Sequence, residues 1–142
     1  MEAQPPREPK AKIFVIDDSP TGLTMAREIL EDAGYLVHTF KSPIGITRAL
    51  HHLRPDLIVL DVNMPAISGD KICRLIRGIS GSLNPLIILY SSISDGELRK
   101  LASECGADGF VSKGGYTRDL LKTIRDSLFA KASGSGQFKV RS

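Results

Sequence analysis

The sequence predicts an α/β fold in which a parallel β-sheet is covered by helices on both faces. Five short apolar segments of strand length alternate with segments of helical periodicity, so the order strand then helix occurs five times. The strand segments are apolar at consecutive positions rather than at every second position, which is typical of strands buried on both faces. Residues that start and stop helices separate the two kinds of segment.

The predicted strands are short and continuously apolar. They are Lys12–Ile16, Tyr35–Phe40, Leu57–Leu60, Leu86–Tyr90 and Gly109–Val111. A helical segment follows each of them, as in sheets whose strands all run in one direction. We therefore expect an open, doubly wound sandwich of the flavodoxin-like type, with five parallel strands in the order 2-1-3-4-5 and five helices.

The first two helices have clear start and stop signals. A serine followed by a proline, which is typical of an N-cap and a first helical residue, occurs at Ser19-Pro20 and again at Ser42-Pro43. Gly34 predicts the end of the first helix. The second must end by Arg54, because Pro55 follows.

The remaining three helices are delimited in the same way. The third is predicted from Gly69 to about Ile79. The fourth starts with Ser94 and Glu97 at the spacing of a capping box and stops at Gly106. The fifth is predicted from near Thr117 to Phe129. The apolar residues expected to face inward are Ile72, Leu75, Ile76, Ile79, Leu98, Leu101, Ala102, Cys105, Leu120, Leu121, Ile124 and Leu128.

Composition and charge limit the class of protein. Of the 142 residues, 42% are hydrophobic and 25% are charged, and no apolar run approaches the roughly 18 residues of a membrane span. Residues 11–130 carry fourteen basic and fourteen acidic side chains, so the net charge of +3 comes from residues 131–142. A basic tail without a basic face argues against nucleic-acid binding, and the tail is too short for a helix-turn-helix domain.

These features also predict the organisation of the chain. We expect a disordered N-terminal arm at residues 1–10, one domain at residues 11–130, and a flexible, Gly/Ser-rich, basic tail or linker at residues 131–142. The polar, proline-rich start resembles neither a secretory signal nor a transit peptide. We therefore expect a cytoplasmic protein without a membrane partner.

The cysteines and histidines show no metal-binding pattern. Cys73 and Cys105 lie 32 residues apart, without a C-x-x-C motif or a histidine at metal-ligand spacing. We interpret them as reduced, semi-buried residues. His38, His51 and His52 are interpreted as surface or strand residues.

Polar side chains follow four of the five predicted strands. Asp17-Asp18 follows the first strand, Asp61 the third, Ser91 the fourth and Lys113 the fifth. Each of these residues alone has a simple structural interpretation, because such side chains often cap a helix, bond to backbone or face solvent. In a parallel sheet, however, all of these positions lie along the carboxyl edge, where open α/β folds bind their ligands. We expect one cleft that holds three carboxylates, a hydroxyl and an ammonium.

The charges of this cleft predict a metal and a chemistry. Three crowded carboxylates repel each other unless a cation lies among them, and one lysine does not compensate them. Mg²⁺ is the best match, since the available ligands are oxygens. A carboxylate beside Mg²⁺ and an ammonium can act as the nucleophile toward a phosphoryl group, whose charge the two cations neutralise.

This arrangement resembles the receiver domain of two-component response regulators. Four elements carry the resemblance, in order along residues 11–130: the pair Asp17-Asp18, the string DVNMPAISG at Asp61–Gly69, the pair Ser91-Ser92, and Phe110 with Lys113 three positions later. The Asp-x-x-Met-Pro-x-x-x-Gly string is moderately specific alone. The other three elements, in order and in register, make the resemblance strong.

The resemblance implies a phosphorylation-dependent signalling switch rather than an enzyme with a separate substrate. Asp61 would be the phosphoacceptor, and it would take the phosphoryl group from a sensor histidine kinase, a phosphotransfer protein or a small donor such as acetyl phosphate. Mg²⁺ would be held by Asp17, Asp18, Asp61 and the backbone carbonyl of Asn63. Catalysis would be limited to the domain's own phosphorylation and dephosphorylation.

The resemblance also implies how the signal leaves the site. Lys113 would contact the phosphoryl oxygens, and the hydroxyl of Ser91 would move toward them. Phe110 would then turn inward and remodel the face formed by the fourth helix, fifth strand and fifth helix, which would bind a downstream protein. The protein would be a monomer or a phosphorylation-dependent dimer.

The sequence departs from the family pattern after the lysine. Gly114 and Gly115 follow Lys113, where the family commonly has a proline joined by a cis peptide. We expect a trans Lys113–Gly114 bond, with unusual φ angles at the two glycines and a less rigid loop. Phe110 also lacks the hydroxyl of the frequent tyrosine, so its position is not fixed by a hydrogen bond of its own.

Other interpretations remain open at the level of sequence. The glycine pair is compatible with a receiver-like protein-interaction module that acts without phosphorylation. A phosphatase of the haloacid-dehalogenase type also uses a strand-end aspartate and Mg²⁺, but it requires a second aspartate where this chain has Asn63. Neither of the glycine-rich motifs of nucleotide-binding proteins occurs.

Overall fold

The computed structural model of the protein describes residues 11–64, 67–79, 83–113 and 116–132, without the side chains of residues 116–118. The predicted arm at residues 1–10 and residues 133–142 of the predicted tail lie outside these ranges, as does Gly114 of the predicted trans bond. The elements in chain order are β1 (Lys12–Ile16), α1 (Pro20–Asp32), β2 (Leu36–Phe40), α2 (Ile46–Leu53), β3 (Leu57–Asp61), α3 (Gly69–Ile79), β4 (Leu86–Ser91), α4 (Asp95–Cys105), β5 (Gly109–Ser112) and α5 (Tyr116–Ala132).

The sheet has the predicted topology. Its five strands are ordered β2-β1-β3-β4-β5, and every neighbouring pair is parallel. The register sets the ends of adjacent strands side by side, with Asp61 opposite Tyr90, the residue before the last of β4, and Ser91 opposite Ser112. The flavodoxin-like fold class predicted from the sequence is confirmed.

Two apolar clusters, one on each face of the sheet, form the core. One cluster joins the sheet to α2, α3 and α4, and the other joins it to α1 and α5. Neighbouring residues of β1 show the division, since Phe14 contributes to the first cluster and Val15 to the second. All four apolar residues of β3 are fully buried, as expected for a central strand covered on both faces.

Several helix boundaries agree with their predicted signals. The Ser19 hydroxyl accepts a hydrogen bond from the N–H of Gly22 at 3.1 Å, and α1 begins at Pro20. The Ser94 hydroxyl accepts one from the N–H of Glu97 at 3.3 Å. The helix α4 ends at Gly106, whose φ of 82° is accessible to glycine without strain.

The predicted start of the second helix is wrong. The helix begins at Ile46, after Gly45 with a φ of 82°, and not at Ser42-Pro43. The Ser42 hydroxyl accepts a hydrogen bond from the N–H of Ile44 at 3.3 Å, so the serine closes a turn. A serine hydroxyl that bonds nearby backbone stabilises such turns as readily as helix starts.

Three further predictions need correction. On α3, Leu75 is 45% exposed and Cys73 is fully buried in its place. Cys105 is only 4% exposed, so both thiols are buried rather than semi-buried, and both are free. The helix α5 continues to Ala132, so Lys131 belongs to this helix rather than to the predicted tail.

Candidate functional site

The sheet brings the predicted site residues to its carboxyl edge. Asp17 follows β1 directly, Asp61 and Ser91 are the last residues of β3 and β4, and Lys113 follows β5 directly. Because all strands run in the same direction, these positions lie at one end of the sheet. The central strands β1 and β3 place two of the carboxylates next to each other.

The carboxylates of Asp17, Asp18 and Asp61 form a compact acidic cluster. Each contributes one oxygen to a group in which all of these atoms lie within 4.8 Å of one another. Asp17 is fully buried and Asp61 is 2% exposed, whereas Asp18 faces solvent. The cluster is therefore open to solvent on one side and enclosed by protein on the other.

Both oxygens of Asp17 are held by protein donors. Oδ1 accepts a hydrogen bond from the N–H of Ser19 at 3.0 Å, and Oδ2 accepts one from the hydroxyl of Tyr90. The backbone of α1 also passes very close to this carboxylate, since a β-carbon added at Gly22 would lie 2.5 Å from Oδ2. The position of Asp17 thus depends on α1 and β4 together.

Asp61 contacts a backbone donor and an ammonium. Its Oδ1 accepts a hydrogen bond from the N–H of Asn63 at 3.0 Å and lies 3.5 Å from Nζ of Lys113. The same ammonium lies 4.8 Å from the centre of the Tyr90 ring, within the range of a cation–π interaction. The lysine is thereby directed toward the acidic cluster.

Ser91 is linked to Asp61 through Asn63. The buried Ser91 hydroxyl accepts a hydrogen bond from the side-chain amide of Asn63 at 3.0 Å and another from the N–H of Ile93 at 3.2 Å. Asn63 therefore bonds to Asp61 with its backbone and to Ser91 with its side chain.

The electrostatics of the two buried aspartates differ. Burial raises the pKa of Asp61 to about 6, with a further increase from Asp17, while the N–H of Asn63 and the ammonium of Lys113 act in the opposite direction. Burial acts to raise the pKa of Asp17 as well, but the hydrogen bonds from Tyr90 and Ser19, the contact with Asp61 and the Lys113 ammonium together outweigh it, and the pKa of Asp17 is lowered. The two carboxylates repel each other. The charged form of Asp61 is destabilised more than that of Asp17.

The donor set of the acidic cluster is compatible with a magnesium ion. Mg²⁺ prefers oxygen ligands and uses only one or two carboxylates together with water and phosphate. The cluster offers carboxylate oxygens, a solvent-facing side at Asp18 and a net negative charge beside one ammonium. A divalent cation would relieve the repulsion from Asp17, which adds to the effect of burial in raising the pKa of Asp61.

Phe110 lies on β5 and is half-buried, in contact with the core cluster on the side of α3 and α4. The strand β5 packs between α4 and α5. The three elements that the sequence predicted to form one surface are therefore adjacent.

Comparison with known proteins decides the family. Residues 13–125 match the family described as the response regulator receiver domain. The chain belongs to this family. One similar solved structure is the chemotaxis protein CheY4 of Vibrio cholerae, with a TM-score of 0.75, 29% identity, and coverage of 82% of this chain and 97% of that one. Another is the receiver domain of DrrB activated by BeF3, with a TM-score of 0.69, 31% identity, and coverage of 82% and 95%.

The receiver domain also resembles parts of longer proteins. It is 29% identical over 119 residues to the DNA-binding response regulator MtrA of Mycolicibacterium smegmatis, covering 84% of this chain and 51% of the relative. The chain thus spans about half the length of the curated relatives it matches. None of the helices in its described ranges has the length and apolar character that a membrane span requires.

The sequence did not indicate the structural roles of three residues at the receiver site. A β-carbon at Gly69 would collide with the backbone oxygen of Asp61, which explains why the Asp61–Gly69 string ends in glycine. A β-carbon at Gly22 would likewise collide with the side-chain carboxylate of Asp17. Tyr90 had been treated only as a strand residue, although a phenol at the end of a buried strand requires a hydrogen-bond partner.

Proposed function

We propose that this receiver domain is a phosphorylation-dependent switch in which Asp61 accepts the phosphoryl group. The observation that carries the proposal is the position of Asp61, whose buried carboxylate lies within the acidic cluster and 3.5 Å from the Lys113 ammonium. The donor we propose is the phosphohistidine of a sensor histidine kinase or of a phosphotransfer protein. Small phosphoryl donors such as acetyl phosphate would serve the same chemistry.

In the proposed reaction a carboxylate oxygen of Asp61 forms a bond to phosphorus while the bond from phosphorus to the donor breaks. Lys113 neutralises charge on the phosphoryl oxygens, and the N–H of Asn63 holds the attacking carboxylate in place. Asp17, Asp18, Asp61 and the backbone carbonyl of Asn63 would hold Mg²⁺, which would supply further charge neutralisation. The domain catalyses no reaction other than its own phosphorylation and dephosphorylation.

The proposed response starts at Ser91. Its hydroxyl moves toward the phosphoryl group and gives up the hydrogen bond from the Asn63 side chain. Phe110 then turns further into the core, and the face formed by α4, β5 and α5 changes its affinity for a partner protein. Such a switch requires that the phosphoryl group interact better with one of two arrangements, and a shift from 1:99 to 99:1 requires about 5.5 kcal/mol of preference.

A titration with beryllofluoride, followed by NMR, tests this function. In the presence of Mg²⁺ we expect amide resonances near Asp61 and on the α4, β5 and α5 face to shift to a second set of positions. Without Mg²⁺ the shifts are expected to disappear, and Asp61→Asn should abolish them. Glu28→Gln is the matched control, because Glu28 is an exposed carboxylate on α1, outside the acidic cluster and outside the α4, β5 and α5 face, and it should leave the response intact.

Two outcomes would contradict the proposed function. A response of Asp61→Asn equal to that of the wild-type protein would show that the carboxylate of Asp61 is not the acceptor. A wild-type protein that does not respond to beryllofluoride and Mg²⁺ together would favour an interaction module that acts without phosphorylation.

A further inference from the structure

Tyr90 lies between the two oppositely charged parts of the site. It is fully buried and is among the largest enclosed side chains of the described residues. It precedes Ser91 directly on β4 and lies opposite Asp61 in the sheet register. A buried tyrosine combines a large apolar ring with a hydroxyl that requires a partner, so both parts of the side chain need an explanation.

The hydroxyl and the ring contact different members of the site. The hydroxyl donates a hydrogen bond to Oδ2 of Asp17, the fully buried carboxylate of the acidic cluster. The ring faces Nζ of Lys113 at 4.8 Å, and that same ammonium lies 3.5 Å from Asp61. Tyr90 thereby contacts both Asp17 and Lys113, the lysine that pairs with Asp61.

The hydrogen bond to Asp17 has a specific physical consequence. With the N–H of Ser19 on Oδ1 and the Tyr90 hydroxyl on Oδ2, the carboxylate is fixed in orientation. Partners that hold a metal-binding side chain in this way typically contribute about 10- to 100-fold to metal affinity.

We propose that Tyr90 is a positioning residue of this receiver domain, whose hydroxyl orients Asp17 toward Mg²⁺ and whose ring restrains the Lys113 ammonium beside Asp61. This proposal rests on the proposed function, because it assigns Asp17 to the metal and Lys113 to the phosphoryl group. It adds a residue that lies outside the four sequence elements of the family resemblance.

The first test measures Mg²⁺ affinity by calorimetry, without any phosphoryl donor. Tyr90→Phe keeps the ring and removes the hydroxyl, and we expect it to bind Mg²⁺ about 10- to 100-fold more weakly than the wild-type protein. Tyr35→Phe is the matched control, because Tyr35 is a buried tyrosine next to the opposite end of the sheet. We expect its Mg²⁺ affinity to be unchanged. An affinity of Tyr90→Phe equal to that of the wild type would overturn the proposal.

A second test keeps Tyr90 intact and does not depend on the folding of a Tyr90 variant. The chain has no tryptophan and three tyrosines, so a variant with Tyr35→Phe and Tyr116→Phe leaves Tyr90 as the only tyrosine. We expect Mg²⁺ to change the tyrosine fluorescence of this variant over the concentration range of metal binding measured by calorimetry. Binding of Mg²⁺ without a change in fluorescence would contradict the role of the hydroxyl.

The role of the ring is tested by phosphorylation with acetyl phosphate at saturating Mg²⁺. Under these conditions Tyr90→Phe should approach the wild-type rate, while Tyr90→Leu, which lacks the ring, should remain slower. Equal rates for the two variants would show that the ring does not restrain the Lys113 ammonium. A wild-type protein that binds no Mg²⁺ would overturn both the proposed function and this inference, whereas wild-type binding with unchanged binding by Tyr90→Phe would overturn only the inference.

Discussion

The amino and carboxyl edges of the sheet differ in how their charges are compensated. At the amino edge, Arg77 from the last turn of α3 pairs with Asp108 at 2.6 Å and donates to the carbonyl oxygens of Pro85 and Gly106 at 2.7 and 2.9 Å. The same oxygen of Asp108 also accepts the N–H of Ile87 at 2.8 Å. One cation and one anion therefore compensate each other and join the end of α3 to the loops that precede β4 and β5.

At the carboxyl edge, by contrast, three carboxylates surround a position that Lys113 approaches from one side. Burial and repulsion from Asp17 raise the pKa of Asp61, whereas in the Arg77–Asp108 pair one carboxylate lies against one guanidinium. The difference indicates that the amino edge stabilises the fold, while the carboxyl edge holds uncompensated negative charge. We infer that this charge is retained for a ligand, and the following predictions test the contrast in unfolding free energy.

The largest effect is expected from Mg²⁺ itself. A ligand that binds only the folded protein raises the free energy of unfolding, by about 2.7 kcal/mol when its concentration is 100 times the dissociation constant. Urea denaturation in Mg²⁺ and in EDTA measures this difference. Asp61→Asn should lose most of the gain, and an undiminished gain in that variant would place the metal elsewhere.

The second effect concerns the amino edge. Asp108→Ala removes the partner of Arg77 and leaves the N–H of Ile87 without its acceptor, so we expect a loss of about 2 kcal/mol in the free energy of unfolding. Mg²⁺ binding should be unaffected. Lys122→Ala is the control, since it breaks an exposed ion pair that contributes less than about 1 kcal/mol. Equal losses in the two variants would contradict the structural role of the amino edge.

The smallest effect is a gain in stability. In metal-free buffer near neutral pH, Asp61→Asn removes a carboxylate whose pKa is raised, and we expect the free energy of unfolding to increase by about 1 kcal/mol.

The pH dependence of this gain has a defined sign. The folded protein holds the proton of Asp61 more tightly than the unfolded chain does, so Asp61 makes the wild-type protein lose stability as pH rises from 3.8 to about 6. The advantage of Asp61→Asn should therefore appear across this range and vanish below it. A variant less stable than the wild type near neutral pH would show that the repulsion is already compensated.

Local patterns in the sequence were sufficient for the fold and for most of the site. Continuous apolar strands and helix caps predicted the sheet, and the parallel topology then required that Asp17, Asp61, Ser91 and Lys113 share one edge. The start of α2 was missed because a serine followed by a proline also stabilises a turn, and the left-handed Gly45 ends that turn.

The contacts of Tyr90 could not be read from local patterns. Its partner Asp17 lies 73 residues earlier in the chain, and the bond depends on β1 and β4 flanking β3. The inward position of Cys73 in place of Leu75 has a similar cause, since the packing of α3 on the sheet sets which residues of its apolar stripe are covered. Clefts and close backbone approaches, such as those at Gly22 and Gly69, likewise arise only from the assembled structure.

The most direct test is the mass of the intact protein after incubation with acetyl phosphate. With Mg²⁺ present, the wild-type protein should gain one phosphoryl group, and it should gain none when EDTA replaces Mg²⁺. Asp61→Asn should remain unmodified under both conditions. A wild-type protein that stays unmodified with Mg²⁺ and a competent donor, or an Asp61→Asn variant that is modified to the same extent, would contradict the account.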